Sequence, residues 1–199
     1  MTDNWQDSAS VFMDYWRGLP SQDLVPEKTD LRPEDIKELL PRISIHERTG
    51  SNKFIYRLHG AGLAARSKAD NTGRDLFAIT PPEWRSAVCL LMNAILDQPC
   101  GVVERHLLAD PLAGDIYRMG IHLPMAESGS AKFIVNFYPD MGDDAVNFTS
   151  SRRPEVIRQP IAMTDVEFID IGAGKPDFAA DAEAKIQEIS AALIRQRNA

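Results

Sequence analysis

The stretch from Phe54 to Leu76, FIYRLHGAGLAARSKADNTGRDL, constrains the fold more than any other part of the chain. Phe54, Tyr56 and Leu58 alternate with Ile55, Arg57 and His59, the period of two expected of a strand with one face in a core. Gly60 stops that run. The small residues Ala61 to Ala65 then suit a short helix, and Asn71-Thr72-Gly73 is turn chemistry. A strand that runs into short helices and a glycine turn makes one wall of a pocket rather than part of a solid bundle.

The flanking segments supply the rest of such a wall. Trp5, Ala9, Phe12, Met13, Trp16 and Leu19 recur at threes and fours and predict an amphipathic helix over residues 1–19, capped by Asp3 or Asn4 and ended at Gly18-Leu19-Pro20. Its aromatic stripe must cover a sheet face or a second copy of the chain, and Trp5, Phe12 and Trp16 are the candidate homodimer interface. Pro33 to Leu40 predicts a short helix stopped by Pro41. Ile43 to Glu47 and Phe54 to His59 predict a hairpin through Thr49 to Asn52. Thr80-Pro81-Pro82-Glu83 carries a threonine cap, prolines and a capping-box glutamate, and opens the longest helix, with Trp84, Val88, Leu91, Met92 and Ile95 on its buried stripe.

Three strands follow. Val102 to Leu108 sets Val103, Arg105 and Leu107 against Val102, Glu104, His106 and Leu108, and Asp110 to Asp115 supplies a hairpin loop. Ile116 to Leu123 sets Tyr117, Met119, Ile121 and Leu123 against Arg118, Gly120 and His122. Ala131 to Tyr138 is apolar on both faces, as in a central strand. The order of two strands, short helices ending in a long one, and three strands predicts an α+β fold with an antiparallel sheet and helices on one face.

This order resembles a PAS domain, with YRLHG at Tyr56 to Gly60, TGRDLF at Thr72 to Phe77, and the central helix before a three-stranded meander. It is similar, more narrowly, to small stand-alone bacterial PAS-like proteins in which Tyr15-Trp16, Pro20-Ser21 and Leu39 to Pro41 lead into the first strand. The resemblance implies a five-stranded sensor fold over residues 20–140 that acts in signal transduction without catalysis. Residues 141–199 form an extension beyond it: a linker from Met141 to Arg153, one possible strand at Val166 to Ile171, and a helix over Asp177 to Gln196.

The chain's 199 residues carry a net charge of -7, which argues against a nucleic-acid surface or an anionic membrane as partner. The N-terminus has neither the basic nor the apolar region of a secretory signal, no apolar run approaches a membrane span, and the two cysteines, Cys89 and Cys100, form no CxxC pair. A reduced, cytoplasmic protein is the expectation. No histidine lies on Pro81 to Gln98 to ligate a haem and no cysteine lies in Asn71 to Ile79 to react with a flavin, so no cofactor is expected. Gly60-Ala61-Gly62 and Gly172-Ala173-Gly174 do not continue into a dinucleotide fingerprint.

The candidate site is an apolar pocket between the sheet and the long helix. Tyr56, Leu63, Arg66, Phe77, Trp84, Val88, Met92, Tyr117, Met119 and Ile121 are its expected lining, with Tyr56, Arg66, Trp84 and Tyr117 as polar handles for an unknown small ligand. The alternative is a small hydrolase or isomerase that uses His106, His122 and Glu104, which requires those side chains to face inward within hydrogen-bond reach of one another. The expectation for His106 and His122 is a surface position on the sheet, with no metal.

Overall fold

The computed structural model describes residues 5–21, 24–108, 116–139 and 160–197. Its helices are α1 (Trp5–Arg17), α2 (Ala61–Ser67), α3 (Leu76–Ile79), α4 (Arg85–Asp97) and α5 (Ala179–Arg197). The strands are β1 (Ile43–Gly50), β2 (Lys53–His59), β3 (Gly101–Leu108), β4 (Ile116–Glu127), β5 (Ser130–Phe137) and β6 (Pro160–Ile169). They form one sheet in the order β2-β1-β5-β4-β3-β6, with every neighbouring pair antiparallel. The α+β architecture expected from the sequence is present, with six strands in place of five: β6 begins at Pro160, earlier than the alternation at Val166 suggests, and extends the sheet beyond β3.

The sheet is covered on both faces rather than on one, and of the two roles expected for the α1 stripe it takes the sheet face. Ile43 and Ile45 of β1, Ile121, Leu123 and Met125 of β4, and Phe133, Val135 and Phe137 of β5 share one core with Phe12 and Trp16 of α1. The Phe12 and Phe137 rings lie 4.8 Å apart, and Trp16 Nε1 donates to the Pro124 carbonyl at 3.0 Å. Phe12 and Trp16 are therefore buried within the chain and do not present a dimer interface; a helix stripe of this width is satisfied by the apolar parity of β4 and β5. The side chain of Trp5, the third residue of that expected interface, lies outside the described residues. The opposite face carries α4 and α5, whose buried Ala87, Leu91, Ile95, Ala182 and Ile186 pack with Val102, Ile134, Val166 and Phe168.

Local chemistry departs from expectation at two places. From Pro33 to Arg42 there are two 3-10 turns, Pro33–Asp35 and Leu40–Arg42, rather than one continuous helix. The capping box at Thr80 does not form. The Thr80 hydroxyl donates back to the Leu76 carbonyl at 2.8 Å, a 3-10 turn at Pro82–Trp84 intervenes, and α4 starts at Arg85 without a side-chain cap. Asp75 caps α3 instead, accepting from the Phe77 amide at 3.0 Å. The Asp110–Asp115 loop and the Met141–Arg153 linker lie outside the described residues. The Ser128-Gly129 turn is present, both residues at positive φ, with the Glu27 carboxylate accepting from their amides at 3.0 and 2.6 Å.

Candidate functional site

A cavity of about 620 Å³ lies between α4 and the sheet, within the range of small-molecule sites. One wall is apolar: Trp84, Val88, Leu91, Met92 and Ile95 from α4 and the turn before it, with Leu76 of α3 and Met163 of β6. Spacings of three and four along α4 bring its residues to a single stripe. The floor is polar and consists of His46, Glu104, His106 and His122, with Tyr56 and Tyr138 beside them. Asn71 and the exposed Arg74 stand among the lining residues that follow α2.

Strand register explains why these polar groups meet. Ser44 of β1 pairs with Asn136 of β5, Asn136 with His122 of β4, and His122 with Val102 of β3, so alternate residues on each strand reach the same face. Glu104 pairs with Gly120 and is a diagonal neighbour of His122. The two side chains meet above Gly120, where a Cβ would come within 2.8 Å of His122 Nε2 and 3.0 Å of Glu104 Oε1. Only glycine leaves that space.

The hydrogen-bond pattern assigns charges. Asn136 Nδ2 donates to the carbonyls of Ser44 at 3.1 Å and Ile134 at 3.2 Å, which turns its side-chain oxygen toward His122 Nδ1 at 2.6 Å. His122 Nε2 lies 2.7 Å from Glu104 Oε1, so both ring nitrogens face acceptors and the ring is an imidazolium. His106 Nε2 reaches the same carboxylate oxygen at 2.5 Å. Burial opposes the charged form of His122, but the Glu104 carboxylate and the Asn136 oxygen outweigh it and its pKa is raised. Burial would likewise raise the pKa of Glu104, yet His106 and His122 hold it far below the ordinary carboxylate range. His46 goes the other way: burial first, then the charges of His122 and His59, push its pKa down to about 3, and the ring is neutral. Burial also raises the Tyr56 phenol to about 12, so it remains a protonated donor.

Of the residues expected from the sequence, Tyr56, Trp84, Val88 and Met92 line the cavity. Leu63 is buried on α2, Arg66 on the same helix acts electrostatically on Tyr138, and Phe77 packs edge-on against Phe54; none of the three is among the lining residues. Met119 and Ile121 belong to the core beneath α1 on the far face of the sheet, because the polar parity of β4 is the one that faces α4. Tyr117 lies on β4 with its side chain outside the described residues. His122 is 3 % exposed and His46 1 %, so His122 is not the surface histidine expected, and His106 also faces the cavity. The carboxylate and two histidines named for the alternative reading do converge. Tyr138, Ile95 and Met163 of the lining, and Asn136 that bonds His122, were not expected, although Asn136, the lone amide in β5, marks the polar row.

Cys100 is fully buried away from the cavity, its thiol pushed up to about 12 by burial, and Cys89 stands beside Asn52 and Asn93. Among the described residues no group of three or more His, Cys, Asp or Glu side chains is placed to hold a metal ion. Nor is any helix there long and apolar enough to cross a membrane.

An antiparallel sheet that encloses a cavity against a helix, with a buried polar floor, defines a small-molecule-sized pocket domain. The family comparison agrees and makes it specific: a model described as a PAS domain matches residues 5–133, and the chain belongs to that family. No curated protein matches the chain. The match ends within β5, so Tyr138 and Met163 of the cavity, and Asn136 that bonds His122, lie beyond it.

Proposed function

We propose that this protein is a sensor or signalling module that binds a small amphipathic molecule in the cavity between α4 and the sheet, without transforming it. The observation that carries this reading is the cavity's division into an apolar α4 wall and a buried, ion-paired polar floor. Occupation would alter the seating of α4 on the sheet, and α5, which packs on both α4 and β6, is the route by which that shift reaches the surface. Native mass spectrometry of the freshly purified chain tests it. The wild type is expected to retain a small-molecule mass that Val88→Trp, which fills the cavity, excludes; bare spectra from both would count against the reading.

The convergence of Glu104, His106 and His122 favours the hydrolase or isomerase as a second reading. Its chemistry is poorly served. Both nitrogens of His122 face acceptors, and the Glu104 carboxylate is a weakened base with two donors on one oxygen. The lining hydroxyls of Ser67 and Thr80 donate to backbone carbonyls. Hydrolysis of p-nitrophenyl butyrate that is faster than background and lost in His122→Gln would favour catalysis over sensing.

A further inference from the structure

One group in the cavity wall lacks a hydrogen-bond partner among the described residues. His46 is fully buried, and its Nδ1 faces the Asn136 amide nitrogen at 3.3 Å, an orientation of Asn136 already dictated by two backbone carbonyls and by His122. The amide nitrogen presents hydrogens and no lone pair to Nδ1, so Nδ1 carries no proton and the single proton of the neutral ring sits on Nε2. That Nε2–H finds no partner among the described residues. A buried donor without an acceptor is unfavourable, and its ring lines the cavity, so a ligand oxygen is the natural complement.

The surrounding charges narrow the ligand further. Glu104 and His122 neutralise one another, and His106 is turned to the same carboxylate. An anionic ligand reaching His46 would lie beside Glu104 with the imidazole protons of His106 and His122 already engaged, while Arg74, the one guanidinium among the described lining residues, is exposed and bonded to Asn71. A neutral carbonyl oxygen meets the donor without that repulsion. The opposite wall of Trp84, Leu91 and Ile95 favours a flat or compact apolar body.

Resting on the reading of the cavity as a ligand site, we propose that its ligand is an uncharged, largely apolar molecule bearing a carbonyl oxygen that accepts a hydrogen bond from His46 Nε2. Equilibrium dialysis of the full chain against three probes of one shape tests this: 9-fluorenone, fluorene and fluorene-2-carboxylate. The wild type is expected to take 9-fluorenone about tenfold more tightly than fluorene and to bind the carboxylate most weakly. His46→Phe, which keeps a ring but removes the donor, should reduce the fluorenone preference to within about twofold. In the wild type, long-range nitrogen-proton NMR should show the His46 Nε2–H tautomer, with that proton moving downfield on addition of 9-fluorenone and not of fluorene. Equal affinity for fluorenone and fluorene, preference for the carboxylate, or a preference that survives in His46→Phe overturns the carbonyl assignment and leaves the ligand-site reading standing. Binding of none of the three overturns the ligand-site reading together with it.

Discussion

Replacing Glu104 by Gln keeps the shape of the side chain and one acceptor oxygen while removing the anion on which two histidines converge. Breaking a buried pair by removing one partner costs about 3–5 kcal/mol when the surviving charge is stranded. His122 escapes part of that cost by losing its proton, so the expected loss is about 2–3 kcal/mol, or roughly 5–10 °C in Tm for a chain of this size. The pH dependence is more diagnostic than the size. His122 has a folded pKa above its ordinary 6.5, so its contribution is complete below 6.5 and disappears as pH rises through the folded value. Glu104 has a folded pKa below its ordinary 4.5, so its contribution is complete above 4.5 and is lost as pH falls toward the folded value. Both are complete between 4.5 and 6.5. His46, held neutral with a pKa of about 3, lowers stability as pH falls below 6.5 in both proteins, so the difference between them is the quantity to read. Urea unfolding of wild type and Glu104→Gln at about pH 6 and about pH 8.5 should give a gap that narrows at the higher pH. A gap under about 0.5 kcal/mol, or one equal at both pH values, would refute the ion-pair account.

Three further outcomes follow from the packing. Gly120→Ala places a methyl within 2.8 Å of His122 Nε2 and should lower stability by about 1–3 kcal/mol while weakening probe binding, measured by denaturation and dialysis. Trp16→Ser should remove about 3–5 kcal/mol of stability with no change in sedimentation mass, because Trp16 packs on the chain's own sheet. Asp75→Ala removes the cap of α3 beside the cavity and should cost about 1 kcal/mol in thermal unfolding.

How far the sequence could be read depends on how local the determining physics was. The strand alternation at Phe54, Tyr56 and Leu58, the stop at Gly60 and the stripe on α4 are local, and they placed the hairpin, the short helix α2 and one wall of the cavity correctly. Which face of β4 meets α4 is a non-local question. Met119, Ile121 and Leu123 look like a core facing the long helix, yet the aromatic stripe of α1 also requires an apolar sheet face and takes that one. Once α1 is assigned to that side, Ser44, His46, Glu104, His122 and Asn136 must turn to α4, and histidines that looked solvent-facing become a buried floor. At Thr80 the competition is local: the hydroxyl donates backward to the Leu76 carbonyl instead of accepting from an amide at the start of α4.

The central claim is that the ligand space lies on the α4 face of the sheet and not on the α1 face. Methyl NMR of the chain titrated with fluorene or 9-fluorenone tests it most directly. Shifts are expected at Val88, Leu91, Met92, Ile95 and Met163, with Ile121, Leu123 and Met125 unmoved. Shifts concentrated at Ile121, Leu123 and Met125 would contradict it.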